Sequence, residues 1–580
     1  MRPSPFLAAS TLLAAALPGL GQTDAYKPGP DSVRHEGVPH GELLQFDLSG
    51  SRVFPGTTRH VTVYVPKQYD PAKPACLYVD QDGVQWDGPV VLDNLIARGE
   101  IPVQVGVFVT PGVVPSLDPK SALSRYNRSY EYDGLGDGYF RLITGEVLPE
   151  VERRRTSDGR PIRISASAND RAIAGSSSGA IAAFTAAWEH PEAFSRVLSS
   201  IGTYVGLRGG ERYPTLIRKT EPKPIRVFLQ DGSSDLNIYG GDWWMANQTM
   251  ERALVFAGYE VNHTWGDGGH TGKQITSILP DALRWLWKGW PAAVAQGTSQ
   301  NGALKDLLLP GDGWTVVGEG YAGAGAMGSD RKGDVTFADA ATSAAYRVPA
   351  GGAPVPVSGI PAHAAALRFG ADGSLLAAAG RQVVSLLDGK TTVLFEGPFP
   401  RDIAADSRGD VYLTARGAEG EVSDVWLLRG GKRQIVDTGL RRATGITLSP
   451  DQSLLYVADA DSHWIYSFQV QPDGTLADKQ RYYWLHEPDE DDSSGAGGLC
   501  CDAQGWLYAA TSLGVQVCDQ AGRVNAILPL PAGRPVSVCF GGPKRDTIFA
   551  ACGDRVYARR LNTTGVDSSS APVLPPIPHL

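Results

Sequence analysis

The sequence predicts a two-part chain: an α/β half built on a mostly parallel sheet, then an all-β half of repeated antiparallel units. Three observations carry this expectation. From about Tyr26 to Pro291, short apolar β-runs alternate with helical patterns, as strands joined by helical crossovers do. Past Asn301 the helical periodicity stops, and a Gly/Asp turn feeding an apolar strand recurs at a spacing of roughly 40 residues. The chain of 580 residues is also too long for one hydrophobic core.

The elements follow in order. Arg2 precedes an apolar stretch at 6–20, with small residues at Gly19 and Gly21, which predicts a signal peptide over 1–22 and an exported, periplasmic or secreted, protein. No other run approaches the ~20 apolar residues of a spanning helix, so no membrane span is expected. The net charge of −9, without a Lys/Arg cluster, argues against a nucleic-acid partner. Strands are expected at 61–65, 76–79, 103–109, 172–174, 225–229 and 259–265, and helices at 90–97, 179–190, 243–257 and 279–287. In the second half the repeats at 333–339, 373–379, 409–415, 452–459, 505–510 and 546–551 predict six blades of a propeller. The resulting division is an α/β domain at 23–295, a linker at 296–309, the propeller at 310–565 and a tail at 566–580. The acidic tract at 487–492 reads as a solvated loop. Six cysteines without a CxxC pair predict buried free thiols, with room for one disulfide among the last five and no zinc site.

One segment carries chemistry. Gly175-Ser-Ser177-Ser-Gly179 is a GxSxG pattern set between an expected strand and an expected helix. A serine on such a turn projects its hydroxyl into the open, and flanking glycines allow close backbone packing. Ser177 is the central residue, and the amide of Ser178 at the helix start points where an oxyanion would develop. A serine needs a base oriented by an acid, in the chain order Ser, Asp/Glu, His for an α/β-hydrolase. His270 follows the last strand and is the expected base, while His263 lies inside that strand. Asp231 and Asp235 both follow the strand at 225–229, and the pattern alone leaves the acid open between them. The second oxyanion donor is expected from Gly83 or Val84, after an early strand. Trp243 and Trp244 are candidates for stacking on a sugar or phenolic group. Glu131 is given no catalytic role.

The residues from about His35 to Trp287 resemble the esterase D / enterochelin esterase-like group, which includes the feruloyl and acetylxylan esterases of carbohydrate esterase family 1. The pieces that carry the resemblance are Arg59-His-Val-Thr-Val-Tyr-Val-Pro66, Asp80-Gln-Asp-Gly83, Arg128-Ser-Tyr-Glu-Tyr-Asp133 with Leu148-Pro149, the Gly175 elbow, Asp235-Leu, Gly241-Asp-Trp-Trp244 and Gly268-Gly-His270. The resemblance implies Ser177 as nucleophile, His270 as base and Asp235 as acid, with a feruloyl, acetyl or related ester of plant polysaccharide as substrate and no cofactor. A siderophore ester is the alternative within the same group.

The second half is similar to the gluconolactonase / regucalcin propellers, through Gly445-Ile-Thr-Leu-Ser-Pro-Asp451, Leu455-Tyr-Val-Ala-Asp459 and Cys539-Phe-Gly-Gly542. That resemblance implies one divalent metal on the axis, held by Glu, Asn and Asp. Here the corresponding positions are Ala324, Thr444 and Gly497, and a further family Asn is Arg401. No metal is therefore expected, and metal-dependent lactone hydrolysis is only an alternative reading.

Overall fold

A computed structural model describes residues 26–417, 422–489 and 491–578, so the expected signal peptide lies outside the described residues. The first half is organised on one ten-stranded sheet. Six strands run parallel in the order Glu260–Gly266, Arg226–Gly232, Arg196–Ser200, Arg171–Ser176, Cys76–Gln81, Gln104–Val109. Thr58–Val65 then joins antiparallel and carries Glu42–Ser49 on its far side.

Period-two alternation sends successive side chains to opposite faces. Leu77, Val79, Ile173 and Val197 pack into one core layer, beneath Phe184 and Trp188 of the helix Ser178–Glu189. Tyr78, Ala172, Ala174 and Leu198 pack into the other, against the helices Gly88–Ala97 and Lys273–Leu286. Both faces being covered explains why these strands read as continuous apolar runs. The carboxyl ends of the parallel strands then gather four loops on one rim, led by Asp82, Ser177, Asp235 and His270.

The second half forms five sheets, not six separate blades. Four of them are four-stranded antiparallel units, between Ala364 and Glu396, Pro400 and Leu440, Ala443 and Trp484, and Leu499 and Leu528. The fifth has six strands, because Thr315–Ser329 and Thr547–Arg560 are long, bulged strands that change partner along their length. They join the first and last repeats into one sheet. Regular 40-residue spacing cannot reveal that, because it shows where strands recur and not which strand pairs with which.

The two halves share a hydrophobic cluster in which Tyr213 and Ile217 meet Tyr483, Leu485 and Ile527. Thr220 pairs with Ile527 in a parallel bridge, and Glu221 holds Arg559 at 2.5 Å. The acidic tract is a clasp rather than a free loop. Asp489 Oδ2 accepts the Leu135 amide at 3.1 Å, and Arg212 donates to the Glu487 carbonyl. Just before it, His486 Nε2 lies 3.0 Å from Lys219 Nζ. All six cysteines are free. No helix among the described residues is long and apolar enough to cross a membrane.

Candidate active site

The turn between Arg171–Ser176 and Ser178–Glu189 holds Ser177 at φ 58° and ψ −121°, a conformation that non-glycine residues rarely adopt. The strain is held by hydrogen bonds on both sides: the Ser177 amide donates to Ser200 O at 2.9 Å, and Thr203 donates to Ser177 O at 3.3 Å. Gly175 makes the turn possible, since a Cβ there would meet Gly179 O at 2.2 Å. The hydroxyl therefore stands clear of the sheet rim.

His270 reaches it from the loop after Glu260–Gly266. Its Nε2 lies 2.9 Å from Ser177 Oγ, and its Nδ1 lies 2.6 Å from Asp235 Oδ1. The Asp235 side chain is fully shielded from solvent, whereas the imidazole is 23 % exposed. Asp235 Oδ1 also accepts the Leu236 amide at 2.6 Å. This is the geometry of an acid that orients a base toward a hydroxyl. Asp231 does not contact His270. It is buried in the strand end, and burial together with the neighbouring Asp235 pushes its carboxyl far above the usual carboxylate range. His263 sits away from the site, ion-paired to Glu251 at 2.5 Å and stacked on Trp265.

The oxyanion expectation needs a correction. The Gly83 amide donates to Val109 O at 3.2 Å, so it is spent on the neighbouring strand. The Val84 amide in the same loop has no partner among the described residues. Arg128 fixes the loop in place: its guanidinium grips Asp82 through Nε and Nη2 at 2.7 and 2.8 Å, and Nη2 lies 3.3 Å from Ser176 O. The bidentate fork ties the Asp82 loop to the Ser177 turn. Glu131, on the same short helix, is consumed by a fully buried pair with Arg59 at 2.8 Å.

The expectation for Trp243 is also corrected. Trp243 is only 2 % exposed and stands edge-on to His270, with ring centroids 5.8 Å apart, so it walls the imidazole rather than offering a face to a sugar. Trp244 is half-buried against Trp265. Thr203, which sequence reasoning missed, lies 3.2 Å from Ser177 Oγ and accepts from Trp243 Nε1 at 3.3 Å. No local signal marks it, because it follows a different strand.

At the propeller axis the residues do not fit the metal that the resemblance implies. Thr444 spends its hydroxyl on Ala496 O at 2.6 Å. Arg401 is half-buried with Arg442 and Arg416 nearby; burial and those like charges lower its pKa. Arg368 lies among the inner strands, bonded to Met327 O, to Leu367 O at 3.0 Å and to Asp402 Oδ2 at 3.2 Å. Asp402 in turn accepts the Ile403 and Ile446 amides. A fixed guanidinium there repels a divalent cation. Among the described residues no group of three His, Cys, Asp or Glu could hold one.

Fold and site together define a two-part protein with an esterase-type rim and a propeller. The chain carries an esterase-family domain followed by a gluconolactonase-like domain: residues 52–282 match the family described as Putative esterase, and residues 322–552 match the SMP-30/Gluconolactonase/LRE-like region. Over 236 residues (37 % of this chain, 48 % of the relative) it is 25 % identical to the iron(III) enterobactin esterase of Dickeya dadantii. Over 139 residues (23 % of this chain, 39 % of the relative) it is 28 % identical to the gluconolactonase of Zymomonas mobilis subsp. mobilis. The chain thus spans under half the length of each of these two relatives. A solved gluconolactonase of Xanthomonas campestris is similar with TM-score 0.40 and 20 % identity, over 45 % of this chain and 93 % of that one.

Proposed function

We propose that this chain is an exported serine carboxylic ester hydrolase of the α/β-hydrolase fold. The observation that supports it most is the continuous contact from Asp235 Oδ1 through His270 to Ser177 Oγ, at 2.6 and 2.9 Å. Ser177 Oγ attacks the ester carbonyl carbon while His270 Nε2 takes its proton. Asp235 holds the imidazole in the tautomer with Nδ1 protonated and stabilises the imidazolium. The amides of Ser178 and Val84 receive the developing oxyanion at the helix N-terminus. Collapse expels the alcohol, protonated by His270, and leaves an acyl-serine. Water, deprotonated by the same imidazole, then releases the acid.

The substrate class we favour is an aryl or acetyl ester linked to carbohydrate, of the feruloyl or acetylxylan kind. Exposed Tyr130 and Tyr239 stand on the segments that carry Arg128 and follow Asp235, and both offer rings to an aryl group. The sequence likeness to an enterobactin esterase favours a second reading, hydrolysis of a catecholate siderophore ester. Export rests on the apolar N-terminal stretch. A panel of acetyl, feruloyl, catecholate and lactone substrates separates these readings. Ser177→Ala is expected to abolish turnover of the responsive ester while leaving the fold intact. Undiminished hydrolysis by that variant overturns the proposal.

A further inference from the structure

Behind the serine, imidazole and carboxylate lies a second carboxyl group that the scheme above does not use. Asp231 sits at the end of Arg226–Gly232, fully buried. Its Oδ1 accepts the Gly232 amide at 2.7 Å. Asp235 uses its own Oδ1 for both His270 and the Leu236 amide. The outer oxygen of each, Asp231 Oδ2 and Asp235 Oδ2, is buried and meets no donor among the described residues. The two residues belong to one tight turn, in which the Asp235 amide donates to Gly232 O at 3.0 Å, and the Asp235 carboxylate acts directly on the Asp231 proton. Two such buried carboxyl groups do not both ionise, because like charges close together force one of them to keep its proton. Amides complete the surroundings: Asn247 approaches Asp231 from the helix Trp243–Phe256, and Gln274 Nε2 lies 3.4 Å from the Asp231 carbonyl. Asp235 is the titratable group in contact with Asp231, and His270 lies directly beyond it.

We propose that Asp231 is a neutral carboxylic acid whose hydroxyl donates to Asp235 Oδ2, making it a positioning residue for the Ser177–His270–Asp235 chain. Its catalytic consequence rests on the hydrolase reading; the shared proton does not. The donated hydrogen bond satisfies the oxygen that Asp235 turns away from His270, and so fixes which oxygen faces the imidazole. It also holds the pair at a single negative charge. A second charge there would raise the basicity of His270 and tie up the proton that the leaving alcohol needs. Burial and the Asp235 charge both keep the Asp231 proton in place at neutral pH. In alkali the proton is lost to solvent, the donor disappears and the two carboxylates repel.

Infrared difference spectra of the intact protein test the proton directly. At neutral pH the wild type is expected to show the carbonyl stretch of a buried, protonated carboxylic acid that Asp231→Asn lacks. Its absence overturns the proposal, whatever the enzyme activity. Kinetics test the role. Asp231→Leu removes the donor, and kcat is expected to fall about tenfold or more with KM little changed. Asp231→Asn offers an N–H to the same oxygen, so it recovers most of that loss and removes the wild-type decline of kcat in alkali. Equal impairment of both variants overturns the positioning role. Should the Leu variant fail to fold, the Asn variant decides alone: an alkaline decline as steep as in the wild type overturns it. A wild type that hydrolyses no ester sinks the hydrolase reading and leaves the infrared band to judge the shared proton.

Discussion

The esterase rim and the propeller axis both gather polar side chains at places where their folds commonly hold chemistry, but they use them in opposite ways. At the rim, Ser177 and His270 keep one face toward solvent, and their buried partners point outward in a chain. At the axis three strong groups are satisfied inward: Arg368 by Asp402 and two carbonyls, Thr444 by Ala496, Asp402 by two amides. A site able to do chemistry leaves an unmet demand that a substrate can fill. Arg368, Thr444 and Asp402 have none left, as groups that hold a fold together do.

Four changes would break or sharpen this contrast. The largest effect is expected from Ser177→Ala, which should lower kcat by about 10⁴-fold or more with unchanged far-UV circular dichroism. Arg368→Met attacks the other centre. It leaves Asp402 buried without its cation, where burial already raises its pKa, and should cost about 3 kcal/mol in denaturant unfolding while ester hydrolysis by the folded protein is unaffected. His486 joins the two halves, and burial, then Lys219 and Arg212, lower its pKa to about 4. The folded state therefore keeps His486 neutral while the unfolded chain takes up a proton near its ordinary value of ~6.5. Stability is full above that value and lost as pH falls toward about 4, by about 1.4 kcal/mol per pH unit. In His486→Gln that slope should flatten, read from denaturation midpoints at several pH values. The smallest effect is none: a chelator should change neither hydrolysis nor melting temperature, and calcium should not raise it. A calcium-dependent stabilisation would break the contrast.

The site was legible where local chemistry speaks. Gly175, Ser177 and Gly179 are demanded by one turn, and His270 follows the last strand directly, so chain order alone brings them to one rim. What depends on distant strands was not legible. Asp231 lies at the end of the strand and Asp235 four residues on, and only Asp235 meets His270, which chain order does not decide. The Gly83 amide is taken by Val109, a pairing set by the tertiary sheet. Trp243 lies beside a candidate site in sequence yet is buried behind it. In the second half the repeat was readable, but the merging of its first and last units was not, because bulges let one strand serve two partners. The acidic tract misled for a similar reason: its partners Leu135 and Arg212 belong to the other half of the chain.

The long strands Thr315–Ser329 and Thr547–Arg560 impose an order on biosynthesis. During translation the esterase sheet has all its strands once Gly266 emerges, whereas the stitch that shuts the ring must wait for the segment ending at Arg560. The growing chain thus carries a finished first domain beside a partial ring with bare strand edges, exposed to chaperones and proteases until the last stretch arrives.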